Sequence, residues 1–248
     1  MLLSNTANRG QEPLQHARSV LEAHLEGVRE VLFIPWALHD LDAYTAQAAA
    51  ALRPFGIRVR GIHTAGEPAT AIREAAALWV GGGNTFRLLR RLRRSGAIPA
   101  IREAVAQGTP YLGASAGTNV AGPTIGTTND MPIVDPGGFD ALGLVPVQLN
   151  PHYVDADPTR THNGETRALR LEQYLEEQPG PVLALREGTW IRVSGIGHSV
   201  KQIVLGGQAV GVTAPGPARL FSRTCQRELS AGDISPLVLS TARLSDGQ

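Results

Sequence analysis

Short apolar runs rich in β-branched residues alternate along the chain with longer segments of helical periodicity. Residues 31–35, 57–62, 78–80 and 111–113 read as strands, as do 182–185, 190–193 and 203–205. Between the first four lie 41–55, 69–76 and 86–107, which read as helices. Strands spaced by such helices make βαβ units. The expected fold is therefore α/β, a mainly parallel twisted sheet with helices on both faces. The later strands crowd together around Glu187-Gly188-Thr189, a turn that predicts an antiparallel edge toward the C-terminus. No linker, repeat or biased segment divides residues 1–248, so a single domain is expected.

In the segment 86–94, Phe86, Leu88, Leu89 and Leu92 share one helical face, and arginines 87, 90, 91, 93 and 94 occupy the other. These arginines read as a solvated face. A formal net charge of +1 and the lack of interleaved aromatics argue against a nucleic-acid partner. Lys201 is the single lysine, so no Gly-Lys-Ser/Thr phosphate loop exists and only Lys201 could form a Schiff base. Cys225 is the single cysteine, which rules out an intramolecular disulfide and any zinc or iron–sulfur site built on cysteines. No metal or other cofactor is expected. Apolar runs such as 31–34 are too short to span a membrane, and Met1–Asn5 lacks the basic and apolar regions of a signal peptide. A cytoplasmic protein without a membrane partner is expected, as a monomer or homodimer.

Two glycine-rich turns follow strands and open helices. Gly81-Gly82-Gly83-Asn84-Thr85 can present bare backbone N–H groups beside a helix start. A dinucleotide fingerprint would need glycine at 86, where Phe86 stands. The turn reads either as a tight strand-to-helix connection or as a source of an oxyanion-binding N–H. Gly113-Ala114-Ser115-Ala116-Gly117 fits the G-x-S-x-G elbow, in which the serine hydroxyl is pushed out of the sheet end. Ala116, following the nucleophile, would offer its N–H to an oxyanion, although such small residues also serve close helix–strand packing. A serine nucleophile needs a base, and the base needs an orienting acid. His16, His24 and His39 read as surface histidines. His152, in Asn150-Pro151-His152-Tyr153, sits at a strand end, where α/β sheets form ligand crevices. Asp130 lies between Ser115 and His152 and is the first candidate acid, with Glu187 as its rival. Each acid also has a bland reading, as a turn residue.

The strings Val80 to Phe86, Ser115-Ala116-Gly117, Pro123-Thr124-Ile125 and Thr127 to Pro136 together resemble the peptidase E family of bacterial α-aspartyl dipeptidases. Gly138 to Leu142, Asn150 to Tyr153, Gly164 to Arg167 and Glu187 to Trp190 resemble it too, in order. The resemblance implies a fold akin to class I glutamine amidotransferases, with serine in place of cysteine. It implies serine-type exopeptidase action on Asp-Xaa dipeptides, with Ser115 as nucleophile, His152 as base and Asp130 as orienting acid. Glu187 matches a second acid that competes for that role or receives the substrate's α-amino group. Gly83 and Ala116 match oxyanion donors, and Asn84 and Arg167 fall where the family holds substrate. Arginine's fork suits an aspartyl carboxylate. The alternatives are a cyanophycinase-like hydrolase and an inactive amidotransferase-like binding module. Ala114 stands where some members carry tryptophan, residues 195–200 resemble an insertion, and the tail after Ser222 matches nothing recognised.

Overall fold

Leu2 and Leu3 in strand β1 (Leu2–Ser4) point to opposite faces of one sheet, and both are fully buried. The computed structural model describes residues 1–5, 10–157, 159, 164–210 and 216–245. The period of two continues in β2 (Glu30–Ile34), where Val31 and Phe33 join one apolar layer and Leu32 and Ile34 the other. Helices α1 (Arg18–His24) and α2 (Leu41–Leu52) supply Leu21, Tyr44 and Leu52 to the first layer. Strands buried on both faces belong to parallel sheets covered by helices. That is the arrangement of β2, β4 (Leu78–Val80) and β5 (Tyr111–Ala114), which pair in parallel with β1 beside β5 and with β3 (Arg58–Gly61) as a more exposed edge strand.

The opposite layer is built by α3 (Pro68–Arg73), α4 (Thr85–Arg94), α5 (Ala97–Ala106) and the short α6 (Ala116–Asn119). The single helix expected over 86–107 is two helices. Gly96 adopts the left-handed conformation (φ 65°), which lets the chain leave α4 and start α5. The arginine face is also more engaged than the sequence pattern implies. Arg91 donates to the carbonyls of Trp36 (3.2 Å) and Leu38 (2.8 Å), and Arg93 to those of Gly137 (2.8 Å) and Asp140 (2.9 Å). Arg102 on α5 adds Ala141 and Leu142. These guanidinium forks hold two loops against the helices, because carbonyls freed from regular structure need donors.

A second sheet carries β6 (Gln148–Tyr153), β7 (Val182–Arg186), β10 (Ala218–Phe221) and β11 (Gln226–Leu229), with α7 (Arg167–Glu177) packed on it through Leu171 and Leu175. The antiparallel strands expected near the C-terminus are present: β8 (Thr189–Ser194) pairs with β1 and β9 (Gln202–Gly207), and β9 with β12 (Gly232–Asp233). The turn at Glu187 and Gly188 does not make a hairpin, however. It carries the chain from β7 in the second sheet to β8 in the first. Residues 195–200 form the β8–β9 connection, and the segment after Ser222 adds β11, β12 and α8 (Ser235–Ser245), whose Val238 is fully buried. Among the described residues, no helix is long and apolar enough to cross a membrane.

His16 and His24 are not the surface histidines that the sequence suggests, since both are partly buried. Both ring nitrogens of His16 are buried, and His24 sits 3.0 Å from the Tyr111 carbonyl through Nε2. Burial is the main cause that pushes the His24 pKa down to about 4. The folded protein therefore keeps His24 neutral where an unfolded chain, titrating near 6.5, takes up a proton. Stability is lost as pH falls from about 6.5 toward 4, by at most about 3 kcal/mol from this group. Thermal melts of wild type and His24→Gln between pH 7 and 4.5 test this. The variant, which keeps a donor for Tyr111, should lose less stability on acidification.

Candidate active site

Ser115 follows β5 and caps α6 with φ 54° and ψ −109°, a conformation that a β-carbon makes unfavourable. Its neighbours hold it there. The Ser115 N–H donates to the Ser4 carbonyl (2.8 Å), and the Ser115 carbonyl accepts from Thr118 and Asn119 (both 2.9 Å). The glycines of the elbow are needed for approach. A β-carbon on Gly117 would lie 2.0 Å from the Val80 carbonyl oxygen, and one on Gly113 2.6 Å from that of Gly117. Thr118 fastens the elbow to β1, donating its hydroxyl to Ser4 (2.6 Å) and accepting the Ser4 N–H (3.0 Å).

His152 Nε2 lies 2.7 Å from Ser115 Oγ. It reaches that position from inside β6 rather than from its end. Pro151 pairs with Leu185 and Tyr153 with Arg186, so His152 is an extra residue at a bulge, with φ 60°. Bulges re-aim side chains in this way near active sites. His152 Nδ1 meets Glu187 Oε1, and the second Glu187 oxygen accepts from Asn5 Nδ2. The Asn5 side-chain carbonyl accepts the Gly188 N–H (3.3 Å). His152 and Glu187 keep a little over a third of their side-chain surface exposed, leaving a reagent access to the serine.

The two candidate acids thus lie differently from the order the sequence suggests. Glu187 faces His152, whereas Asp130 accepts from the Thr85 N–H (2.7 Å) and hydroxyl (2.6 Å) at the start of α4. A carboxylate there answers the helix dipole and an otherwise unpaired N–H. Asn84 is the N-cap of α4, accepting from Arg87 N–H (3.0 Å) and donating to the Met131 carbonyl (2.8 Å). Arg167 donates to Asn129 Oδ1 (2.6 Å), and Asn129 donates to the Pro151 carbonyl (3.0 Å), one residue before His152. Burial and then Arg170 press the Arg167 pKa down, opposed by Asp130.

Four successive residues of the first glycine turn show how an N–H is left available. Gly81 donates to Ile34, Gly82 to the Tyr44 hydroxyl (2.7 Å) and Asn84 to Ala37. Among the described residues the Gly83 N–H has no acceptor, nor does that of Ala116 at the start of α6. A β-carbon on Gly83, whose φ is 126°, would lie 2.9 Å from the Ala37 carbonyl oxygen. No group of three His, Cys, Asp or Glu side chains that could hold a metal ion occurs among the described residues.

Asn5 is a residue of the Ser115–His152–Glu187 cluster that the sequence does not single out. It follows Ser4, the last residue of β1, at the carboxyl end of a strand that pairs in parallel with β5, where α/β sheets gather ligand groups. Three residues are too few to show a period, so the strand itself was not read.

A serine on a strained strand-to-helix turn, with histidine and carboxylate in line behind it, is the site of an α/β serine hydrolase. The profile of Peptidase family S51 matches residues 1–201, and the chain belongs to that family. It is 50% identical over 240 residues to peptidase E of Streptomyces coelicolor, covering 96% of this chain and 94% of the relative. It is also 50% identical over 209 residues to a Drosophila melanogaster protein named "Probable alpha-aspartyl dipeptidase", covering 83% and 85%. The crystal structure of a peptidase from an acI-B1 actinobacterium superposes with a TM-score of 0.62 at 15% identity, covering 93% of each chain, which supports the fold.

The two acids are separable by experiment. Phosphonylation of Ser115 by a small fluorophosphonate should slow by at least about a hundredfold in Glu187→Gln, because the histidine loses its orienting acceptor. Asp130→Ala should cost about 1 kcal/mol of stability through the lost cap and leave the labelling rate near wild type. The reverse pattern would return Asp130 to the triad.

Proposed function

We propose that the protein is a serine-type α-aspartyl dipeptidase that hydrolyses Asp-Xaa dipeptides through an aspartyl-enzyme. The observation that carries this reading is the 2.7 Å contact between Ser115 Oγ and His152 Nε2 on a serine held at φ 54°. The names of the relatives supply the substrate class. Ser115 Oγ attacks the carbonyl of the N-terminal aspartate while His152 Nε2 takes its proton. Glu187 holds the imidazole with Nδ1 as donor and balances the imidazolium that forms. The carbonyl oxygen becomes an oxyanion and accepts from the Gly83 and Ala116 N–H groups, each worth about 3–4 kcal/mol of barrier. His152 then protonates the leaving amine, and water, deprotonated by the same nitrogen, releases aspartate.

Arg167 is the cation assigned to the aspartyl side chain. Its Nη1 is tied to Asn129, and its planar fork can still meet a carboxylate with two parallel hydrogen bonds. Asn84, next to Gly83, is also assigned to the substrate; its side chain is engaged with the Arg87 N–H and the Met131 carbonyl. Glu187 is assigned to the histidine rather than to the α-amino group, because one of its oxygens faces Nδ1 and the other Asn5.

A kinetic panel of Asp-Xaa, Glu-Xaa, Asn-Xaa and N-blocked Asp-Xaa tests the reading. Asp-Xaa should be cleaved best, the blocked peptide poorly, and folded Ser115→Ala should show negligible turnover. Turnover of Asp-Xaa by Ser115→Ala near the wild-type rate would overturn the mechanism. Arg167→Met should reduce the preference for Asp over Asn by about tenfold or more, the worth of one charge-assisted bidentate contact. An intact preference would remove Arg167 from the specificity pocket.

A further inference from the structure

Arg186 immediately precedes Glu187, yet its side chain points away from the site and is 1% exposed. It grips two carboxylates at once. Nε and Nη2 lie 2.7 and 2.8 Å from the two oxygens of Asp155, and Nη1 and Nη2 lie 2.9 and 3.1 Å from those of Glu228. Nη1 also donates to the Gly216 carbonyl (2.6 Å). The guanidinium lies over the Tyr153 ring, 5.6 Å from its centroid, and the Tyr153 hydroxyl accepts from Arg219 (2.9 Å). Arg219 Nε in turn lies 2.8 Å from Glu228.

We infer that this buried cluster is a positioning device for the His152–Glu187 pair, an inference that rests on the catalytic roles proposed above for those two residues. Register supplies the argument. Across β6 and β7, Tyr153 pairs with Arg186, so the cluster grips the residue after His152 and the residue before Glu187. Asp155 then anchors the chain leaving β6 to the same guanidinium. The bulge that turns His152 toward Ser115 is therefore closed on its far side by charge-assisted forks, and on its near side by the Pro151–Leu185 pair. Apolar side chains would fill this space without the desolvation cost of an arginine and two carboxylates. Bidentate pairs add something packing does not, a fixed angle as well as a fixed distance. Glu228 and Arg219 come from β11 and β10, beyond the stretch 1–201 that matches the family profile. The C-terminal strands thus act on the site without touching it.

Glu228→Gln in the full chain is the deciding variant, since it keeps shape and removes one fork's charge. Three measurements read it: Ser115 phosphonylation rate, kcat and KM on an Asp-Xaa dipeptide, and the downfield proton resonance of the His152 Nδ1–Glu187 hydrogen bond. The expected result is native circular dichroism, a fall of about tenfold or more in labelling rate and kcat with KM little changed, and a weakened resonance. A folded variant with wild-type labelling and resonance would overturn the inference. If Glu228→Gln does not fold, Arg186→Lys, which keeps a cation between the carboxylates but cannot fork both, is judged by the same criteria. A wild-type chain whose Ser115 does not label would instead sink the hydrolase reading, while the resonance would still report on positioning.

Discussion

A carboxylate shared between His152 and Asn5 joins the two sheets of this protein. Ser115 and Asn5 belong to the main sheet, at the carboxyl ends of neighbouring parallel strands. His152 and Glu187 belong to the second sheet, one in a bulge of β6 and the other just past β7. The proposed reaction needs Ser115, His152 and Glu187 within hydrogen-bond reach, so the sheets must meet at one place and one angle. Gly188 completes the junction by donating to Asn5 as the chain crosses from β7 to β8.

Two residues at this junction hold backbone conformations that side chains normally avoid. Ser115 and His152 both have positive φ, and each such residue costs on the order of 1–3 kcal/mol. The strain persists because the surroundings allow no relaxation. The Ser4 and Thr118 bonds lock the serine elbow, and the pairs flanking the bulge lock the histidine. Strain held in this way gives preorganisation: the hydroxyl and the imidazole already face each other before a substrate arrives.

The arginine excess has a structural meaning that composition alone hides. Several arginines end on backbone carbonyls of irregular segments, where one fork satisfies two acceptors. Arg91 holds the Trp36–Leu38 turn, whose Ala37 carbonyl accepts the Asn84 N–H beside Gly83. An apparent solvent-facing stripe therefore helps to shape the turn at Gly83, the proposed oxyanion site. For Arg93 and Arg102, whose two acceptors meet different guanidinium nitrogens, a lysine with one compact ammonium could not reproduce the fork.

Local chemistry made much of this legible in sequence. Short continuous apolar runs spaced by helical segments announced a parallel sheet with helices on both faces, and the glycine-flanked serine announced an elbow, because sterics at those positions leave few other choices. The sequence also singled out Ser115 and His152, which the fold brings within 2.7 Å of each other, whereas it did not show that Asn84 is the N-cap of α4. What sequence could not decide was which acid stands behind His152, since Asp130 and Glu187 are equally carboxylates and differ only in what the fold brings near. Asn5 was hidden just past a strand too short for periodicity, and Asp155 and Glu228 lie 31 and 42 residues from the Arg186 they bridge. Chain order carries the propensities and the reactive groups. Only the meeting of two sheets, a matter of long-range packing and strand register, selects which of those groups act together.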